Sequence, residues 1–171
     1  LDREQELLED AVHRLAVAGA IDDPVVTLGS QRQADRGGGA LEHGDLPLEE
    51  AMRAFEGETI ELTKLAYDLG FDGTVVLPPY YFRKADDDGL FNWFSEVIKK
   101  AVPSDKSLLG YHFPNVAGIG FSIELLARLK DAFPVQFAGI KDSSHDPGLA
   151  SALGKKFGSD FVALTGTDSY L

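Results

Sequence analysis

Five short apolar runs, at residues 24–28, 73–77, 108–111, 137–140 and 161–164, alternate along the chain with segments of helical periodicity. Runs that are apolar throughout, rather than at every second residue, suit strands covered on both faces, which is the condition of a parallel sheet. Strands that alternate with helical segments of about ten residues build such a sheet through βα crossovers. The helical segments fall at 2–18, 59–69, 90–101, 122–132 and 147–157. Their ends carry local signals: Ser122 precedes an apolar-periodic run with Glu124 in its first turn, and Gly70 follows Leu69 as a C-terminal stop.

The stretch 31–58 breaks this rhythm. It holds Gly37, Gly38 and Gly39 among mixed charges, with only a short helical pattern at 48–55, and reads as a loop inserted over one end of the sheet. A glycine run cradles phosphate where it joins a strand directly to a helix N-terminus, but these glycines lie well beyond the strand end and lack the lysine of a P-loop. At 171 residues and 44% hydrophobic, the chain is expected to form one domain over 1–171 with a core of its own. No repeat of solenoid length is visible.

Charge and composition narrow the partners. A net charge of -12 with no basic cluster disfavours nucleic acid. The apolar runs fall well short of the roughly 18 residues that span a bilayer, and no charged-then-apolar leader opens the chain, so neither membrane nor export is expected. The absence of cysteine excludes disulfides and thiolate chemistry and fits a cytoplasmic protein. His13, His43, His112 and His145 show no paired ligand spacing, so no metal and no cofactor is predicted.

One residue stands out chemically. In F-A-G-I-K-D-S-S, at 137–144, a single lysine, Lys141, ends an apolar strand, thirty positions after Tyr111 of G-Y-H-F-P. A lysine amine attacks a carbonyl only when unprotonated, and apolar surroundings favour that form. A phenol beside it can protonate a departing hydroxyl and later act as base. Taken alone, Lys141 also suits a strand meeting water, and Tyr111 a core aromatic with a satisfied hydroxyl.

Four motifs resolve the choice together. P-P-Y-Y at 78–81, Y-H-F-P-N-V-A-G at 111–118, G-I-K-D-S-S at 139–144 and T-G-T-D-S at 165–169 follow the order and spacing of the dihydrodipicolinate synthase and N-acetylneuraminate lyase family. The resemblance covers nearly the whole chain outside 31–58. It implies an α/β fold, the (β/α)8 TIM barrel, of which this chain would supply about strands three to seven. Because a barrel short of strands leaves open edges and an exposed apolar interior, and because helical pattern begins at Leu1, the chain is expected to be incomplete.

The resemblance implies roles residue by residue. Lys141 is similar to the Schiff-base lysine and Tyr111 to the proton-shuttling tyrosine. Tyr81 resembles a residue that crosses a dimer interface into the neighbouring site, which implies a homo-oligomer, a dimer or tetramer; Tyr80 is packing. Ser143, Gly166, Thr167 and Asp168 are substrate-binding candidates, equally suited to turn chemistry. The synthases carry an arginine for a second carboxylate where Val116 stands here, and an aliphatic side chain cannot make that bidentate contact. Val116 therefore turns the reading toward lyases and aldolases of pyruvate and 2-keto-3-deoxy sugar acids, with a small-molecule 2-oxo acid as the partner. A synthase-like condensation and a 2-keto-3-deoxy acid dehydratase remain as alternatives. The family's threonine pair, which holds the 2-oxo acid carboxylate, has no counterpart in the sequence, so an inactive barrel relative is the third. His112, adjacent to Tyr111, should point away from the barrel interior.

Overall fold

The computed structural model describes residues 25–28, 48–80 and 84–166, with side chains placed over 56–80 and 84–166. The elements run β1 (Val25–Leu28), α1 (Leu48–Asp68), β2 (Gly73–Val76), α2 (Asp87–Ala101), β3 (Ser107–His112), α3 (Pro114–Ala117), α4 (Ile123–Ala132), β4 (Phe137–Asp142), α5 (Pro147–Phe157) and, after a turn of 3-10 helix, β5 (Val162–Thr165). The five strands pair in parallel in the order β1-β2-β3-β4-β5. Each strand thus lies beside its predecessor, with no reversal of direction across the sheet. That is the winding of a barrel wall, whereas a doubly wound sheet reverses at a switch point.

Helices start where side chains can satisfy their free amides. Asp86 accepts from the Gly89 N–H at 2.8 Å, Ser122 from Leu125 at 3.0 Å and Asp146 from Gly148 at 2.8 Å. Asp87 and Asp88 in the first turn of α2, and Lys99 and Lys100 in its last, oppose the helix dipole. Gly70 closes α1 at φ 90, in the left-handed region that glycine enters without steric cost.

The pleat sorts the strands into two faces. Val76, Leu108 and Ile140 join a core of helix residues that includes Leu90, Phe94, Leu125 and Leu129. Their neighbours in sequence Val75, Leu109, Gly139 and Lys141, and Tyr111 two residues beyond Leu109, therefore look to the opposite face. Phe137 and Ile140 both reach the helix-side core although they are three apart, because pairing slips between Leu108 and Leu109: Leu108 faces Phe137, while Leu109 faces Gly139. On β5, Val162 and Leu164 remain 43% and 37% exposed.

One expected boundary moves. The sequence places 31–58 in an insertion with a short helical pattern at 48–55 and starts a separate helix at 59, but Leu48–Asp68 is a single helix of 21 residues. Gly57 and the acidic residues around it obscure the apolar period. A mid-helix glycine costs about 1 kcal/mol, and contact of α1 with β1, β2 and α2 outweighs it. Residues 31–47 and the helix expected at 2–18 lie outside the described residues.

Candidate active site

Lys141 is the penultimate residue of β4, and its register partner on β3 is Tyr111. Both are half-buried at the C-terminal ends of parallel strands, the end at which barrel enzymes assemble their sites. The Lys141 Nζ stands 4.4 Å from the centre of the Tyr111 ring, within the range of a cation–π contact. The ring itself is not left to rotate freely: Phe113 stacks with Tyr111 at 5.5 Å between ring centres, 26° from parallel.

Ser143 completes the group. Its N–H donates to the His112 carbonyl at 2.9 Å, continuing the β3–β4 ladder one residue past β4. Its hydroxyl is buried and donates to the Tyr111 hydroxyl at 3.5 Å, a long contact by hydrogen-bond standards. Gly166 makes room for it. A Cβ at Gly166 would collide with Ser143 Oγ, and the Gly166 N–H donates to the Asp142 carbonyl at 2.7 Å. Asp142 then turns the chain away from the sheet, its Oδ1 accepting from the Ser144 N–H at 2.9 Å. His145, at φ 63, is the positive-φ residue other than glycine among those described.

Behind Tyr111 lies His112, buried on the helix face. Its Nδ1 accepts the Phe121 N–H at 3.0 Å, so the proton of the neutral ring is on Nε2. Burial lowers the His112 pKa below its ordinary value, against the smaller raising effects of Asp142 and Asp146. The orientation agrees with the alternation expected from Tyr111.

Of the residues singled out in the sequence, Lys141, Tyr111, Ser143 and Gly166 come together at one end of β3, β4 and β5. Val116 sits on α3, in the loop leaving β3, and is 57% exposed. Tyr81, Thr167 and Asp168 lie outside the described residues. Phe113 was not anticipated as a support for Tyr111, nor was the Phe121 tie to His112. Among the described residues no three of His, Asp and Glu gather as a metal-holding group, and no helix is long and apolar enough to cross a membrane.

Residues 56–171 match the dihydrodipicolinate synthetase family. The chain is 33% identical over 188 aligned positions to a 4-hydroxy-tetrahydrodipicolinate synthase of Thermus thermophilus, covering 98% of this chain and 59% of that enzyme. It spans about three-fifths of the length of that relative. Among solved structures, dihydrodipicolinate synthase from Agrobacterium tumefaciens superposes with a TM-score of 0.57 at 35% identity, over 67% of this chain and 38% of that one. A prophage protein of the dihydrodipicolinic acid synthase family from E. coli, solved in complex with pyruvate, gives a TM-score of 0.60 at 31% identity, over 68% of this chain and 38% of that one.

Proposed function

The chain belongs to the dihydrodipicolinate synthetase family, and from that premise we propose that the protein carrying it is a Schiff-base-forming lyase or aldolase of pyruvate or a 2-keto-3-deoxy sugar acid, working through Lys141. The observation that carries this reading is the pairing of Lys141 with Tyr111 across adjacent strand ends, Nζ against the ring and the Tyr111 hydroxyl within reach of buried Ser143.

In the proposed cycle the free amine of Lys141 attacks the ketone carbon of the 2-oxo acid and gives a carbinolamine. The Tyr111 hydroxyl donates a proton to the departing hydroxyl, water leaves, and an iminium remains on Nζ. The Tyr111 phenolate takes the proton of the C4 hydroxyl, the iminium draws in the electron pair of the C3–C4 bond, and that bond breaks to give an aldehyde and an enamine. Protonation of the enamine and hydrolysis release pyruvate and regenerate the lysine. Run backwards, the same steps condense pyruvate with an aldehyde.

Two product classes compete within this chemistry. Val116, exposed at the mouth of the loop where the synthases carry an arginine, supports acceptors without a second carboxylate. The 33% identity to a synthase supports condensation as the second reading. Incubation with pyruvate and borohydride tests what both share. Reduction should fix a three-carbon adduct on Lys141; labelling of no lysine, or of Lys155 and Lys156 equally well, would sink the imine reading.

A further inference from the structure

His112 joins three segments through two different groups. Its Nδ1 accepts the Phe121 N–H at 3.0 Å, which fastens the far end of the loop that leaves β3. Its carbonyl accepts the Ser143 N–H at 2.9 Å, which fastens the residue that touches the Tyr111 hydroxyl. Phe113, the stacking partner of Tyr111, lies within the segment held between His112 and Phe121. The surroundings are fitted to this arrangement. A Cβ at Gly120 would come within 2.8 Å of His112 Cε1, and one at Gly110 within 2.6 Å of Phe121 Cζ. The imidazole and the phenyl ring therefore occupy space that two glycines leave open.

We infer that His112 is a positioning residue, whose neutral imidazole is a latch on the loop from Phe113 to Phe121 while its carbonyl holds the Ser143 turn, so that Tyr111 is fixed against Lys141. The inference rests on the imine reading for its consequence in catalysis, and on geometry alone for the latch. A protonated ring carries N–H on both nitrogens and cannot accept from Phe121, so the latch opens with acid. The charged groups that face the imidazole are Asp142, its register partner on β4, and Asp146 at the head of α5. Both favour the charged ring, while burial opposes it more strongly.

His112→Asn separates the two properties of the side chain, because an amide oxygen can take the place of Nδ1 as acceptor but does not titrate. Two readouts are made on the unsubstituted protein, on His112→Asn and on His112→Ala, from about pH 5 to 8. Protection of the Phe121 amide, its exchange rate compared with that of an unstructured amide at the same pH, reports the latch without any chemistry. The rate of trapping of pyruvate on Lys141 with cyanoborohydride, which survives in mild acid, reports its consequence. Acid should lower the protection of the Phe121 amide and slow trapping, each by about tenfold, in the unsubstituted protein. His112→Asn should keep its Phe121 protection in acid and lose the share, about tenfold, of the trapping decline that protonation of His112 adds to that of the lysine amine, and His112→Ala should show low protection and slow trapping at every pH. If His112→Ala does not fold, the protection that His112→Asn keeps in acid carries the test alone. The inference fails if Phe121 protection has the same pH profile in the unsubstituted protein and in His112→Asn. It fails equally if protection responds while trapping does not, which would leave His112 a role in the fold only. Absence of trapping in the unsubstituted protein would overturn the imine reading, and Phe121 exchange would still decide the latch.

Discussion

Lys141 and Tyr111 are register partners on neighbouring parallel strands, with the lysine nitrogen 4.4 Å from the centre of the tyrosine ring. The relationship is set by backbone pairing, so the two groups meet before any substrate arrives. Arginine at 141 would keep a cation over the ring but could not attack a ketone, since guanidinium stays protonated. Lys141→Arg should therefore abolish pyruvate trapping while the protein unfolds at nearly the same denaturant concentration. Tyr111→Phe keeps the ring and removes the hydroxyl, and should slow turnover by about 10²- to 10⁴-fold, with slow trapping retained. Mass spectrometry of the reduced adduct distinguishes the two variants.

Gly139 sits where the backbone of β5 comes closest to β4. A Cβ there would collide with the Val162 carbonyl oxygen, a backbone atom that no rotamer change can move. At Gly110 the obstruction is a side chain, the Phe121 ring. Gly139→Ala should cost about 3 kcal/mol or more, and Gly110→Ala about 1–3 kcal/mol. Shortening the obstructing ring with Phe121→Leu should recover part of the Gly110→Ala loss and none of the Gly139→Ala loss, as read from chemical-denaturation midpoints.

Alkaline stability should depend on Tyr67. Its hydroxyl donates to the Ser107 carbonyl at 2.7 Å and lies 3.0 Å from Thr74 Oγ1. Burial raises its pKa above 10.0, partly offset by the Thr74 hydrogen bond. The unfolded chain therefore loses this proton first as pH rises. The contribution is complete below about pH 10 and is lost as pH climbs from there through the higher folded value. Tyr67→Phe should remove this part of the alkaline limb and lower stability at pH 7 by about 1–3 kcal/mol, because the Ser107 carbonyl and the Thr74 hydroxyl each lose a buried partner. Equal slopes above pH 10 in the two proteins would refute the assignment.

Much of the sheet was legible because its signal is compositional: β2, β3, β4 and β5 fall within two residues of the apolar runs that predict them. Helix α1 reads in the sequence as two pieces, a short helical pattern at 48–55 and a helix from 59, and their continuity through Gly57 is not legible from local pattern. Lys141 and Tyr111 could be named from motif, but not their spatial match, which depends on a register slip between Leu108 and Leu109 that no local pattern encodes. The His112 latch was hidden for a related reason. A histidine on the helix face of a strand looks like packing until the amide it accepts, nine residues away, is located. The glycines at 110 and 120 were the available clue, since each stands where a side chain would collide with this pair.

Val116 offers a test of acceptor class. It is 57% exposed, on the short helix α3 that follows Tyr111 and Phe113, so replacing it leaves no core cavity and should change stability by no more than about 0.5 kcal/mol. Val116→Arg would restore the cation that the synthases carry at this position, a group able to bind a carboxylate through two parallel hydrogen bonds. If the present site favours acceptors without a second carboxylate, the variant should raise kcat/KM for an aldehyde bearing a distal carboxylate by about tenfold, the equivalent of one charge-assisted contact of about 1.4 kcal/mol. Its kcat/KM for an uncharged polyhydroxy aldehyde should fall or stay level. Trapping of pyruvate on Lys141 should be unaffected, because the imine forms before the acceptor binds. A protein that already prefers the carboxylate-bearing aldehyde, and gains nothing from the arginine, would move the reading from a sugar-acid aldolase to a synthase that holds its second carboxylate by other residues.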